Sequence, residues 1–171
     1  PLTSIIGSLQ LINSGVMGDI DKEVGELTGV AERNGQRLLD LINDILDIEK
    51  IESGKLTLAP EVMAVDELVR ESMVLNKAFG ERFGVRFVAH DGAESRVRAD
   101  RKRLLQVMTN LLSNAAKFSP EGGVVDISTE DAGGNVRVAV HDRGSGIPEA
   151  FRTRIFGRFS QADSTATRQK A

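Results

Sequence analysis

The sequence predicts an α+β protein in two parts, an N-terminal antiparallel helical hairpin at residues 1–55 and an α/β sandwich at residues 56–171. Three observations carry this. Leu27, Ala31, Asn34, Leu38, Leu41, Ile45 and Ile48 recur in alternating steps of four and three, a heptad seam along one long helix. Val136, Val138 and Val140 alternate as a half-buried strand does. Between Asp100 and Ser119, Leu104, Leu105, Val107, Met108, Leu111, Leu112 and Ala115 make a broad apolar face, the mark of a helix packed into a core.

Leu2, Ile5, Leu9, Ile12 and Val16 step by three and four, so the chain opens in an amphipathic helix, broken at Gly15, Gly18 and Asp19. Asp19 or Asp21 caps the second helix, which runs to about Ser53. Ile42 and Leu46 widen its seam beyond what one partner helix covers, and two hairpins joined as a four-helix bundle satisfy it. A homodimer is expected. Gly25, Gly29 and Gly35, each costing about 1 kcal/mol against Ala, either loosen this helix near Asn34 or allow a close neighbour.

Glu52, Ser53 and Gly54 end the helix, and Leu56 to Leu58 reads as a short strand, with the boundary between about 54 and 60. A helix capped near Asp66 follows, with Leu68, Val69, Met73, Ala78 and Phe79 apolar, then strands at Val85 to Ala89 and Arg96 to Ala99. After the central helix, Val124 to Glu130 and Asn135 to Val140 form a hairpin through Asp131 to Gly134.

Composition narrows the function. At 171 residues, 40% hydrophobic and 27% charged, the chain can bury a core, and no apolar run approaches the roughly 20 residues of a membrane helix. The segment reads as not membrane-inserted. The absence of Cys excludes disulfides and thiolate metal sites and suits a cytoplasmic location. Through Pro60 there are 5 Lys and Arg against 10 Asp and Glu, and beyond it 17 against 15, so an acidic part (−5) precedes a mildly basic one (+2). With neither Trp nor Tyr, a nucleic-acid partner is not expected.

Two motifs carry chemistry. Gln106, Asn110, Asn114 and Lys117 lie in steps of four, four and three on one stripe of the central helix. An amide oxygen is a hard neutral ligand for Mg²⁺, and an ammonium is a point charge for phosphate oxygens. His141 to Pro148 reads HDRGSGIP after the Val136 strand, placing Asp142 at a strand end, with Gly144 and Gly146 allowing close backbone approach to a flat ligand. Taken singly, each has a plain alternative, a water-facing helix edge and a glycine-rich turn.

Together, and in this order, the motifs resemble those of the bacterial sensor histidine kinases. NLLSNAAKFS is similar to the N box, DRGSGIP to the first glycine box and IFGRFSQAD to the F box; PLTSIIG resembles the residues just after the phosphorylated His in that family's HELRTPLTSIIG-like motif. The resemblance runs nearly end to end and implies the nucleotide-binding fold shared with DNA gyrase, heat-shock chaperone ATPases and mismatch-repair ATPases. It implies that Asp142 accepts a hydrogen bond from the adenine amino group and that Phe118 lies near the base. Asn114 would bind Mg²⁺, with Asn110 and Lys117 near the phosphates of ATP. Phe156 and Phe159 would anchor one end of a lid through Ser160 to Ala171. No GxxxxGK[ST] loop is present, so ATP is not expected to be held by a P-loop.

The same resemblance places the acceptor His upstream of Pro1 and a second glycine box beyond the lid; the chain is expected to lack both. His90 and His141 match no acceptor motif. The function expected is a histidine kinase core that binds Mg-ATP, phosphorylates a His and passes the group to an Asp of a response-regulator receiver domain. One alternative is a scaffold of the same fold without the acceptor. Another is a chaperone-like or mismatch-repair-like ATPase, disfavoured because Asn110 stands where those hydrolases carry a water-activating Glu.

Overall fold

The computed structural model describes residues 1–90, 92 and 95–157. The chain divides into two compact units, Pro1–Thr57 and Leu58–Ala171.

The first unit is a helical hairpin of α1, Leu2–Asn13, and α2, Lys22–Glu52. Asp21 caps α2 by accepting the Glu23 N–H at 2.8 Å. Of the apolar residues on α1, Ile6 is the buried one, and Ile5 and Val16 are exposed. Leu2, Leu9 and Ile12 of the expected stripe are half-buried, so it departs from expectation at Ile5, whose place Ile6 takes, and at Val16, which lies in the turn beyond the helix. Opposite Ile6 stands Gly35, where an added Cβ would come 3.0 Å from Ile6 Cγ1. Of the two readings of this glycine, close packing is the one with a contact. At the far end, Asn13 Nδ2 donates to Glu32 Oε2 at 2.6 Å, and Thr28 Oγ1 donates to Asn13 Oδ1 at 2.5 Å, fixing the register of the two helices. Leu27, Leu38, Leu41 and Ile45, the heptad seam, remain exposed in the single chain.

The second unit layers helices on a sheet. Its elements are β1, Glu61–Ala64; α3, Val65–Arg82; β2, Arg86–Ala89; β3, Arg96–Ala99; α4, Arg101–Phe118; β4, Val124–Asp131; β5, Val136–His141; and a short α5, Glu149–Arg152. The expected strand at Leu56 to Leu58 does not form; after Pro60 the chain pairs instead as β1, antiparallel to β3. A second sheet has the order β2-β4-β5, with β2 parallel and β5 antiparallel to β4. The β4–β5 turn is closed by Asp131 Oδ1, which accepts the Gly133 N–H at 3.1 Å.

Val125 and Ile127 from β4 and Met108, Leu112 and Ala115 from α4 meet Val65 and Val69 from α3 in one core. On α3 the buried edge continues through Ser72, Asn76 and Gly80, whereas Ala78 is exposed. Asn76 Nδ2 donates to Ser72 O at 2.8 Å and to Thr109 Oγ1 at 3.3 Å, so a buried polar contact ties α3 to α4. Among the described residues no helix is long and apolar enough to cross a membrane.

Candidate functional site

The candidate residues come from the outward edge of α4 and the turn after β5. Asp100 starts α4, its Oδ1 accepting the Arg103 N–H at 3.1 Å and its Oδ2 the Ala59 N–H at 3.0 Å. The Ala59 bond, then the Arg103 bond, hold the Asp100 carboxyl below the usual carboxylate range. The helix stops at Phe118 because Ser119, ahead of Pro120, takes extended backbone at φ −68°, ψ 151°.

Along that edge Asn110 and Asn114 are exposed, on successive turns about 6 Å apart along the axis. Lys117 Nζ lies 5.4 Å from the centroid of the Phe118 ring. Phe118 is 51% exposed and so is not a core aromatic. Gln106 belongs to the same stripe, but its Oε1 accepts from Arg103 Nη1 at 2.9 Å.

Asp142 follows β5 and is half-buried, its Oδ1 accepting the Gly144 N–H at 2.8 Å. That turn occupies one carboxylate oxygen; a carboxylate has a second to offer an outside donor. Gly144 rests against the end of α4. A Cβ there would overlap the Phe118 carbonyl oxygen and come 2.8 Å from Asp142 Oδ1, so the approach depends on glycine. Gly146 has φ +72°, a left-handed conformation that favours glycine.

Phe118, Asp142 and Gly144 are thus brought together, with Lys117 at the same helix end and Asn114 one turn back. Phe156 is 99% exposed and is not gathered with them. Phe159 and the expected lid from Ser160 onward lie outside the described residues. Among the described residues no group of three or more His, Cys, Asp or Glu could hold a metal ion. An open depression of about 430 Å³ lies at the other end of α4, lined by Ala59, Glu61, Asp100, Arg101, Lys102 and Leu105, and contains no candidate residue. The motifs alone do not single out Arg143 or Asp126, although Arg143 sits inside the glycine turn and reaches Asp126 on β4. Arg143 is visible within DRGSGIP; Asp126 has no local signal, because only the strand register brings it near.

Residues 1–54 match the His Kinase A (phospho-acceptor) domain family. Residues 99–171 match the family of histidine kinase-, DNA gyrase B- and HSP90-like ATPases. The catalytic domain of the histidine kinase ThkA is 33% identical in sequence, with a TM-score of 0.54 over 61% of this chain and 72% of that one. ThkA in complex with the response regulator protein TrrA aligns over 99% of this chain and 52% of that one, at 25% identity and a TM-score of 0.65. The circadian input-output histidine kinase CikA of Synechococcus elongatus is 33% identical over 99% of this chain, which spans 23% of that protein's length. A helical hairpin followed by an ATPase-type sandwich is the architecture of a kinase core. The chain belongs to the histidine kinase family.

Proposed function

We propose that this chain is the dimerising and ATP-binding core of a sensor histidine kinase, whose parent phosphorylates a His and passes the group to a response-regulator Asp. The observation that supports the reading is the seat of Gly144 on the Phe118 carbonyl, which brings the Asp142 turn to the end of α4, the helix whose edge carries Lys117, Asn114 and Asn110. The residues fit a magnesium nucleotide: the turn takes up one Asp142 oxygen, and the Asn110 and Asn114 amides are exposed to solvent on the edge that also carries Lys117.

Asp142 would take the adenine amino group, since a carboxylate accepts a donor and rejects the carbonyl that guanine presents there. Phe118 offers a ring face beside it, Asn114 an oxygen to Mg²⁺, and Lys117 and Asn110 donors to phosphate oxygens. Bound Mg-ATP would supply the transferable phosphoryl group and the cation that neutralises it. The chain's own part is to position and neutralise rather than to remove a proton. Asn110 cannot act as a general base, which favours transfer to a protein nucleophile over hydrolysis. In the first unit, the exposed seam of Leu38, Leu41 and Ile45 supports pairing with a second copy. The receiver partner is supported by the ThkA–TrrA complex.

The test is to incubate the parent, with its native flanking sequence, with γ-labelled ATP. An acid-labile, base-stable label that chases onto a receiver Asp is expected, the behaviour of a phosphoramidate on His. ATP binding without any label would favour the scaffold alternative. Steady phosphate release without labelled protein would favour the ATPase alternative and contradict the inference from Asn110.

A further inference from the structure

Asp126 sits on the middle strand of the three-stranded sheet, opposite Val88 on one side and His141 on the other. Its neighbours Val125 and Ile127 are buried in the core, so by strand alternation its own side chain stands on the sheet's opposite face. Both carboxylate oxygens are engaged there. His90 Nε2 is 2.8 Å from Oδ1, and Arg143 Nη2 donates to Oδ2 at 3.3 Å. His90 is itself pinned to the sheet, its backbone N–H donating to Ile127 O at 2.9 Å. The bond from His90, with the charge of Arg143, holds the Asp126 carboxyl below the usual carboxylate range, so it is ionised at neutral pH.

Arg143 lies between Asp142 and Gly144. Its side chain is drawn to one face of the sheet while the next residue, Gly144, is seated on the end of α4. Two consecutive residues of the turn, both directly after Asp142, are therefore held from different sides.

We propose that Asp126, fixed by His90 and acting through Arg143, is a positioning residue for the Asp142 turn. The inference rests on the reading of Asp142 as the adenine acceptor. An uncharged probe isolates it, because adenosine has no phosphate to respond to Arg143 or to salt directly.

The test is calorimetric titration of the chain with adenosine, for Asp126→Asn, Arg143→Gln, the double variant, Arg143→Lys and the reference Asp142→Ala, with a thermal melt of each. Asp126→Asn and Arg143→Gln should each weaken adenosine binding by up to about fivefold, the range of an exposed ion pair. The double variant should be no weaker than either single one, and Arg143→Lys should recover most of the loss. Raising salt to about 1 M should bring the unmodified chain toward the variants and leave the variants unmoved. If Asp142→Ala weakens binding while Asp126→Asn and Arg143→Gln do not, or if their effects add, the positioning role is overturned and the site reading stands. If Asp142→Ala changes nothing, the site reading fails and the positioning role falls with it.

Discussion

Asp100 does two jobs with one carboxylate, capping α4 through the Arg103 N–H and holding the Ala59 N–H from the segment before β1. Its acidity is raised in the fold, first by the Ala59 bond. A carboxyl whose folded pKa lies below its unfolded one contributes stability in full above the ordinary carboxylate value. That contribution is lost as pH falls through the lowered folded value. The thermal midpoint should therefore drop as pH is taken from about 5 toward 3, across the ordinary carboxylate range. Asn keeps a cap oxygen but no charge, so Asp100→Asn should lower the midpoint at pH 7 and flatten its acid limb. Circular dichroism melts across this range check it; an unchanged acid slope in the variant would contradict the assignment. The sequence marks Asp100 as the start of a helix through its place before an apolar periodic run. It carries no trace of the Ala59 bond, 41 residues away.

At the scale of elements, α2 has two faces with different work. One packs on α1 around Ile6 and Gly35, and the other carries the exposed seam of Leu38, Leu41 and Ile45. If that seam joins two hairpins, Leu41→Glu would place unpaired charge in a bundle core at a cost on the order of a few kcal/mol. Light scattering should then report monomers for Leu41→Glu where the unaltered chain reports dimers; a dimer that survives the change removes the seam assignment.

The long periodic helices are legible because a heptad or a 3.6-residue stripe repeats over many turns. Less legible are the short strand, expected at Leu56 and found at Glu61, and the buried edge of α3. There Ser72 and Asn76 are buried because their polar atoms find partners, which a hydrophobic pattern cannot show. Hydrophobicity alone assigns Val107 and Leu111 to the core, yet both are exposed, since α4 buries the narrower face of Met108, Leu112, Ala115 and Ala116.

Across the whole molecule, an acidic helical hairpin and an ATPase-type sandwich stand in the order that defines the histidine kinase family. The motif order is legible because each box is local in sequence. The contacts that assemble the boxes are not, because Gly144 meets Phe118, and Arg143 meets Asp126, only through the β4–β5 pairing and the end of α4.

If the amide edge of α4 and the Asp142 turn form one magnesium-nucleotide site, each should answer to a different part of the ligand. Titration of ATP into the chain, Asn114→Ala and Asp142→Ala, each with and without Mg²⁺ and with GTP as the comparison, reads this out. Asn114→Ala should abolish the gain in affinity from Mg²⁺ while preserving the preference for ATP over GTP. Asp142→Ala should do the reverse. Two variants that both bind as the unaltered chain does would contradict it.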